Sequence, residues 1–351
     1  MNSSIAEHAG CWFLTSGIQE SNGGVARYFV ADACHNKPVS TEITGYAASA
    51  LCYLHSVTGR AEFLEAAVRA ARFLTQDAWD QASHTFPFEP GSAHVYFFDV
   101  GIISRGLLAV SRATEDESFR SRAQDAALSL AFDFLGDGAF HPAIELPEKQ
   151  PLAYEPKWSR EPGCYQLKSA LAWLEAGDEH AARMFEIVLA SALATHESFL
   201  DPARDTREKT MDRLHAYCYF LEALLFVDQD HRARAALGIG IRRVAALLRE
   251  ISPEFERSDV CAQLLRVRLI AQHLDIVRLD EPAAAEEADR AAVYQSDSTD
   301  PKLAGGFWFG RKRGEMLPFM NPVSTAFCMQ ALELWREHRS GTWGFELHQL
   351  I

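Results

Sequence analysis

The chain alternates between two kinds of helix-forming stretch, and this alternation constrains the fold more than any other feature. One kind is charged along one face, as in residues 61–77 (AEFLEAAVRAARFLTQD), which is the pattern of a helix with a solvated side. The other kind is apolar or small nearly all round, as in residues 99–113, which is typical of a helix buried on both sides. The predicted surface helices cover residues 5–19, 61–77, 117–135, 179–195, 231–251 and 281–294, and the predicted buried helices cover residues 41–57, 99–113, 163–176, 212–227, 258–273 and 321–337.

A surface helix followed by a buried helix, six times over, predicts an all-α (α/α)6 toroid built from six helical hairpins. The buried helices start at intervals on the order of 50–60 residues, which indicates repeats with insertions and is too irregular for a tetratricopeptide or HEAT array. Strands do not alternate with helices, so a β/α barrel is disfavoured. A closed toroid would absorb all 351 residues in one core, and we expect a single domain over residues 1–351.

The connections between the predicted helices differ in length according to their direction. Links from a buried helix to the next surface helix are short, whereas links from surface to buried helices are expected to run to about twenty residues or more, which is the length of functional loops. The long links are rich in aromatic residues, Gly and Pro, as in residues 84–90, 154–158 and 305–310. In an antiparallel arrangement they share one end with the N-termini of the buried helices, and we expect a pocket at that rim.

Composition excludes several functions. The formal net charge of −14 disfavours nucleic acid or an anionic membrane surface as a partner, and no apolar run is long enough for membrane insertion. The first residues lack a basic and then apolar leader, and seven cysteines, an odd number, fit reduced thiols. We therefore expect a soluble cytoplasmic protein in which Cys52, Cys218 and Cys328 fill the core. Phosphate-binding, dinucleotide and nucleophile-elbow motifs are missing, so no cofactor is expected.

Several short motifs carry a resemblance to a known group of proteins. The clearest is Thr-Glu-Ile-Thr-Gly-Tyr at residues 41–46, followed by Thr58-Gly59 and Phe-Leu-Glu-Ala-Ala at residues 63–67. Weaker matches follow at residues 98–101, 214–217 and 305–307, and at Asn321-Pro322. Together they resemble the six-hairpin glycosidase-like superfamily, and in particular a branch often encoded near polysaccharide genes. The resemblance implies an (α/α)6 toroid that acts on carbohydrate as a hydrolase, lyase or epimerase.

A different class of toroid, the terpene and prenyl cyclases, shares the same helical arrangement. Gly305-Gly306-Phe307-Trp308 is similar to the Gly-Gly-Trp repeats of that class. The Asp-rich acid motif expected of a cyclase is absent from the sequence, and a cyclase is therefore disfavoured.

Four carboxylates lie at or just before the predicted start of a buried helix. The helix dipole and free N–H groups keep a carboxylate ionised there, which suits a general base or a group that stabilises a cation. The alternative for each is an ordinary N-cap or first-turn charge. The four are Glu42, Asp99, Asp212 and Asp259.

Glu42 is the strongest of these candidates because Thr41, Thr44 and Tyr46 surround it with groups that can hydrogen-bond or stack. Asp99 comes second, at the end of an aromatic loop. Both are predicted to be catalytic. A glycoside hydrolase needs two carboxyl groups, about 5 Å apart for retention or about 6.5–9.5 Å for inversion.

Asp212 and His215 form a second predicted catalytic pair, because residues three apart on a helix can meet. The carboxylate would raise the basicity of the histidine, and the pair would serve a lyase or epimerase. The alternative is a structural hydrogen bond. A metal site is not expected, since no second His or Cys stands at ligand spacing.

The remaining candidates are predicted to bind substrate. Trp158 and Trp308 could stack on the C–H face of a sugar, although an aromatic residue in a loop is as often a packing plug. Arg311, Lys312 and Asn321 could bind a uronate carboxylate, with a solvated charge run as the alternative, favoured for Arg313. The full set of predicted substrate-binding residues is Tyr46, Trp158, Glu161, Tyr165, Tyr217, Asp259, Trp308, Arg311 and Asn321.

The prediction is a carbohydrate-active enzyme that uses rim carboxylates as acid and base, with a mono- or oligosaccharide, uronate-containing saccharides included, as its partner. Two alternatives stay open. A catalytically inactive toroid would bind an oligosaccharide or regulate exopolysaccharide assembly without turnover. An α-solenoid scaffold for other proteins would form an open superhelix without contact between its first and last helices.

Overall fold

The structure is a computed structural model that describes residues 4–177, 179–203 and 205–351, with only the backbone at residues 179–181. Helices dominate it, and the strands are short. The helices are α1 Ile5–Thr15, α2 Thr41–Thr58, α3 Ala61–Phe73, α4 Phe97–Thr114, α5 Glu117–Phe132, α6 Gln166–Ala176, α7 Glu179–Phe199, α8 Arg207–Leu224, α9 His231–Ile251, α10 Ser258–His273, α11 Glu281–Ala292 and α12 Pro322–Ser340. The strands are β1 Phe29–Val30, β2 His35–Asn36, β3 His94–Tyr96, β4 Ala143–Glu145, β5 Gln150–Pro151, β6 Phe255–Arg257, β7 Gly310–Lys312, β8 Glu315–Met316 and β9 Phe319–Met320.

These elements confirm the predicted order of surface and buried helices, but one start is wrong. Helix α8 begins at Arg207 and not at Asp212, because the Thr206 side chain caps it by accepting from the Lys209 N–H at 3.3 Å. Asp212 is therefore in the second turn. Two of the long connections were also mispredicted, since residues 200–206 and 252–257 are short links.

The chain divides into two compact units, and each is described by itself. The N-half unit comprises Gln19–Arg27 and Lys37–Thr195, and the C-half unit comprises Met1–Ile18, Tyr28–Asn36 and His196–Ile351. No helix in the described part of the chain has the length and apolarity needed to cross a membrane.

In the N-half unit, α2, α4 and α6 pack side by side with their backbones in close contact. A Cβ on Gly106 would lie 2.4 Å from the Gly45 carbonyl oxygen, and a Cβ on Gly101 would lie 2.4 Å from the Ser169 Cβ, so only glycine allows this approach. The Ser169 hydroxyl donates to the Phe98 carbonyl at 2.8 Å. Outside these helices lie the amphipathic α3 and α5. Strands β3, β4 and β5 form an antiparallel sheet.

In the C-half unit, α8, α10 and α12 are buried, and α9 and α11 cover them. Antiparallel sheets form from β2, β1 and β9 and from β6, β7 and β8. Helix α1 packs against α12, and the Trp12 indole donates to the Lys302 carbonyl at 2.9 Å. The first and last helices therefore touch, which contradicts the solenoid alternative.

The cysteines are all free. Cys218 and Cys328 are buried in the core as predicted, whereas Cys52 keeps partial exposure.

Candidate active site

The first turn of α2 places Glu42 beside two loops of the N-half unit. Ser40 caps the helix by accepting from the Ile43 N–H. The Thr41 hydroxyl donates to the Pro87 carbonyl at 2.8 Å, and the Thr44 hydroxyl accepts from the Val25 N–H at 2.9 Å. The two threonines thus hold the flanking loops rather than the Glu42 side chain, contrary to the role expected for them.

Glu42 and Asp99 are brought close enough to couple electrostatically, at the starts of α2 and α4. Burial raises the pKa of Glu42 from 4.5 to about 7, and the nearby Arg27 charge opposes this only in part. Burial also raises the pKa of Asp99 well above its ordinary value, and the Glu42 charge raises it further. Asp99 is 6% exposed, and its Oδ2 has no hydrogen-bond partner among the described residues. The pair can hold a proton near neutral pH.

Arg27 is a further member of this site, and it was not among the predicted residues. Its guanidinium lies over the Phe88 ring at 4.6 Å from the centroid and pairs with Glu89. Its charge lowers the pKa of both Glu42 and Asp99. The available signal was a single charged residue inside the apolar segment Gly24–Val30.

An aromatic cluster lies next to Asp99 in the chain. The Trp158 ring meets the Phe98 ring at 6.0 Å and the Tyr165 ring at 5.1 Å, both edge to face. Trp158 is partly exposed, whereas Tyr165 and Tyr46 are 1% and 2% exposed. The Tyr165 hydroxyl donates to the Glu161 carbonyl at 3.2 Å. Of these residues, Trp158 has the exposure that stacking on a sugar requires.

In the C-half unit, Arg257 holds two of the predicted carboxylates. Its Nε and Nη2 donate to the two oxygens of Asp259 at 3.0 and 2.7 Å, and its Nη1 donates to Asp212 at 2.8 Å. Burial alone would raise the pKa of Asp259, but the Arg257 charge and hydrogen bonds outweigh it and keep the pKa below its usual value. Asp259 is 1% exposed, so the arrangement is a buried ion pair with one partly exposed partner, Asp212.

The structure places His215 against Gln263 and Tyr219. Its Nδ1 lies 2.8 Å from Gln263 Oε1, which can only accept, so Nδ1 is assigned the proton. Its Nε2 then accepts from the Tyr219 hydroxyl at 2.9 Å. Burial, followed by the Arg257 charge, lowers the pKa of His215 to about 4, although Asp259 and Gln263 oppose this. The expected increase in basicity is wrong, because burial outweighs the neighbouring carboxylate.

Other predicted substrate-binding residues have structural partners in the C-half unit. Arg311 Nη2 pairs with Glu256 at 2.9 Å, and Lys312 pairs with Glu208 at 2.7 Å. Asn321 caps α12 by accepting from the Val323 and Ser324 N–H groups at 2.8 and 3.2 Å.

Two aromatic candidates complete the predicted set. The Tyr217 hydroxyl bonds to His196 Nδ1 at 2.9 Å, and Tyr217 is fully buried. Trp308 is partly exposed. Among the described residues, no group of three or more His, Cys, Asp or Glu side chains is placed to hold a metal ion.

No protein-family model matches the chain, and no curated protein does. Solved structures do. A sugar epimerase from a ruminal bacterium has a TM-score of 0.70 at 12% identity, covering 94% of this chain and 96% of its own. An unsaturated glucuronyl hydrolase specific for heparin has a TM-score of 0.68 at 12% identity, covering 96% and 97%. An inactive variant of the Salegentibacter α-1,6-mannanase GH76A, in complex with α-1,6-mannotetrose, has a TM-score of 0.63 at 12% identity, covering 95% and 99%.

These likenesses extend over nearly the whole chain and show its fold. The chain has the (α/α)6-toroid fold, as the alternation of surface and buried helices predicted. Fold alone does not fix the chemistry, because toroids host several reactions.

Proposed function

We propose that this protein is a carbohydrate-active enzyme that hydrolyses a glycosidic bond with Glu42 and Asp99. The observation that carries the proposal is the pair of interacting carboxyl groups at the starts of α2 and α4, whose pKa values are both raised. Glycoside hydrolysis needs one protonated and one ionised carboxyl group at the same pH, and this state arises when two interacting carboxyl groups have different pKa values.

Asp99 is the better candidate for the general acid, because it is more buried than Glu42 and the Glu42 charge raises its pKa further, so that it keeps its proton. In the reaction it gives its proton to the glycosidic oxygen as the bond from that oxygen to the anomeric carbon breaks. Glu42, ionised, takes a proton from the water that attacks the anomeric carbon. One water is consumed, and the proton taken up by Glu42 restores the pair.

Hydrolysis is favoured over epimerisation because of the state of His215. To move a proton at a sugar carbon, His215 would need an available ring nitrogen, and both of its nitrogens bond to protein groups. The solved structures that share this fold include a hydrolase, a mannanase and epimerases, which supports a saccharide substrate and leaves the reaction to be argued from the site.

Trp158 is the proposed stacking residue, since its ring is partly exposed beside the start of α4. The predicted recognition of a uronate has weaker support, because the carboxylate of Glu256 already neutralises Arg311 and that of Glu89 neutralises Arg27. We propose a mono- or oligosaccharide partner and a cytoplasmic location, and no nucleic-acid partner in view of the charge of −14.

The test is turnover of neutral and uronate-containing oligosaccharides, with products detected by mass spectrometry in ¹⁸O-labelled water. Asp99→Asn and Glu42→Gln should each lower kcat by about 10²- to 10⁴-fold, the usual contribution of a general acid or base, while ligand affinity stays within a few-fold. Glu65→Gln, on the exposed face of α3, is the matched control and should leave kcat unchanged. Wild-type turnover in either site variant would refute the assignment, and binding without turnover in the wild type would favour the inactive toroid.

A further inference from the structure

A second pocket lies at the C-terminal ends of α10 and α12 in the C-half unit. It is an open cleft of about 370 Å³, within the ~300–1,000 Å³ of small-molecule sites. At ~1.5 Å of rise per residue, it is roughly 20 Å along α10 from Asp259, and none of the predicted site residues lies in it. Its polar and aromatic lining residues are Gln272, His273, Asp275, Glu337, His338 and Trp343.

Trp343 gives the cleft a fixed aromatic ring. The chain turns back after α12 at Gly341, which has a φ of 68°. The Trp343 ring stacks on His273 at 4.6 Å and 21°, and its edge meets Phe345 at 5.9 Å. Its Nε1 is buried without a hydrogen-bond partner among the described residues. Trp343 lines the cleft and is partly exposed, so a ligand would meet its ring rather than the buried nitrogen.

The polar side chains around the ring are oriented by bonds to the protein. Glu337, which is 8% exposed, accepts from the Gly344 N–H at 3.0 Å, which leaves its second oxygen as an acceptor. Gln272 Oε1 accepts from the Leu279 N–H at 2.7 Å, which leaves its amide N–H groups as donors. Donors and acceptors on fixed side chains next to an aromatic ring match a sugar, whose hydroxyls both donate and accept.

The acidic residues of the cleft favour a neutral sugar over an acidic one. Asp275 and Glu337 line it, and no Lys or Arg is among its lining residues. Like charges would repel a uronate. We propose that this cleft binds a neutral glycosyl unit of an oligosaccharide, as an auxiliary site on different helices from the Glu42–Asp99 pair. This inference rests on the proposed function only in taking a saccharide as the ligand.

The test is a titration of the full chain carrying Asp99→Asn, so that the ligand is not consumed, with cellotetraose, α-1,6-mannotetraose and an oligouronate. Indole N–H signals are followed by ¹⁵N NMR, and the Trp343 signal is assigned as the one lost in Trp343→Phe. We expect a saturable shift of that signal with at least one neutral tetrasaccharide. Glu337→Gln should weaken the binding about tenfold or more, as expected for a hydrogen bond to a charged group. Glu346→Gln, exposed in the same segment, should not weaken it.

The outcomes separate this inference from the proposed function. If neutral saccharides move the Trp158 signal and leave Trp343 unmoved, the auxiliary site is refuted and the proposed function stands. Equal or tighter binding of the oligouronate at Trp343 also refutes it. If Trp343 responds as expected but Asp99→Asn retains wild-type turnover, the proposed function fails and the cleft stands. If no saccharide moves any signal, both fail.

Discussion

Replacing Glu42 with Gln should make the protein less sensitive to alkaline pH. The pKa of Glu42 is about 7 in the folded chain against an ordinary 4.5. Between these values the unfolded chain loses the proton that the folded chain keeps, so the folded state binds more protons and the free energy of unfolding falls as pH rises. This contribution to stability is complete below pH 4.5 and is lost as pH rises through 7.

The size of the effect follows from that window. Each pH unit costs about 1.4 kcal/mol, so the loss between pH 5 and pH 8 is roughly 3 kcal/mol for Glu42 alone. Asp99 changes in the same direction, and the Glu42 charge is one of the causes that raise its pKa. Glu42→Gln removes the first contribution and part of the second, while a neutral amide of the same shape keeps the packing.

The assay is urea unfolding followed by far-UV circular dichroism at pH 5, 6, 7 and 8, for the wild type, Glu42→Gln and the exposed control Glu65→Gln. Other groups titrate over this range, and the difference between wild type and variant removes their contribution. We expect Glu42→Gln to gain roughly 3 kcal/mol relative to the wild type from pH 5 to pH 8 and the control to gain nothing. If wild type and Glu42→Gln lose the same free energy over the range, the pKa of Glu42 is not raised in the folded chain.

Three further changes test the rest of the site. Arg27→Met should raise the pKa of the carboxylate pair further, because the guanidinium lowers both; the pH–rate profile should move to higher pH, and Arg27→Lys should reverse part of the change. The wild type should lose roughly 3 kcal/mol of stability as pH falls from 6.5 to about 4, because folded His215 resists protonation, and His215→Asn should not show this loss. Urea midpoints measure the difference. If the variant is as sensitive to acid as the wild type, His215 is not a buried neutral histidine. Gly106→Ala would bring a Cβ to 2.4 Å from a backbone oxygen of α2 and should lower the free energy of unfolding by about 1–3 kcal/mol, as measured by thermal unfolding. The control Gly344→Ala, whose Cβ meets nothing within 4 Å, should lower it much less.

The helical order could be predicted because each surface helix has a solvated face and each buried helix does not. Every helical turn of the sequence therefore shows whether one face is polar. Helix α9 occupies the predicted residues 231–251. The start of α8 could not be found this way, because Thr206 and Asp212 are both good caps in sequence terms. Which one caps depends on where the preceding helix ends, and α7 continues to Phe199.

The positions of Glu42 and Asp99 at helix starts could be predicted, but the groups around them could not. Arg27 reaches them from a separate loop segment, and Gln263 reaches His215 from another helix. Lys168, fully buried in the first turn of α6, is a further polar residue that the apolar pattern concealed. The sequence pattern of one helix shows which of its residues are buried. Which residue a buried polar group bonds to depends on how that helix packs against its neighbours.

Helix packing also explains why the pKa values of Glu42 and Asp99 are both raised. Gly45 is one turn beyond Glu42, and a Cβ on Gly106 would meet its carbonyl oxygen at 2.4 Å. Because α2 and α4 touch at glycine backbones, their first turns are held close, and carboxylates on those turns lose water and gain each other as neighbours. If this reasoning is correct, the stability lost in Gly106→Ala should be accompanied by a lower pKa for Glu42, since separating the helices lets water return to the pair. A destabilised Gly106→Ala variant with an unchanged Glu42 titration would place the cause in the loops around Arg27 instead.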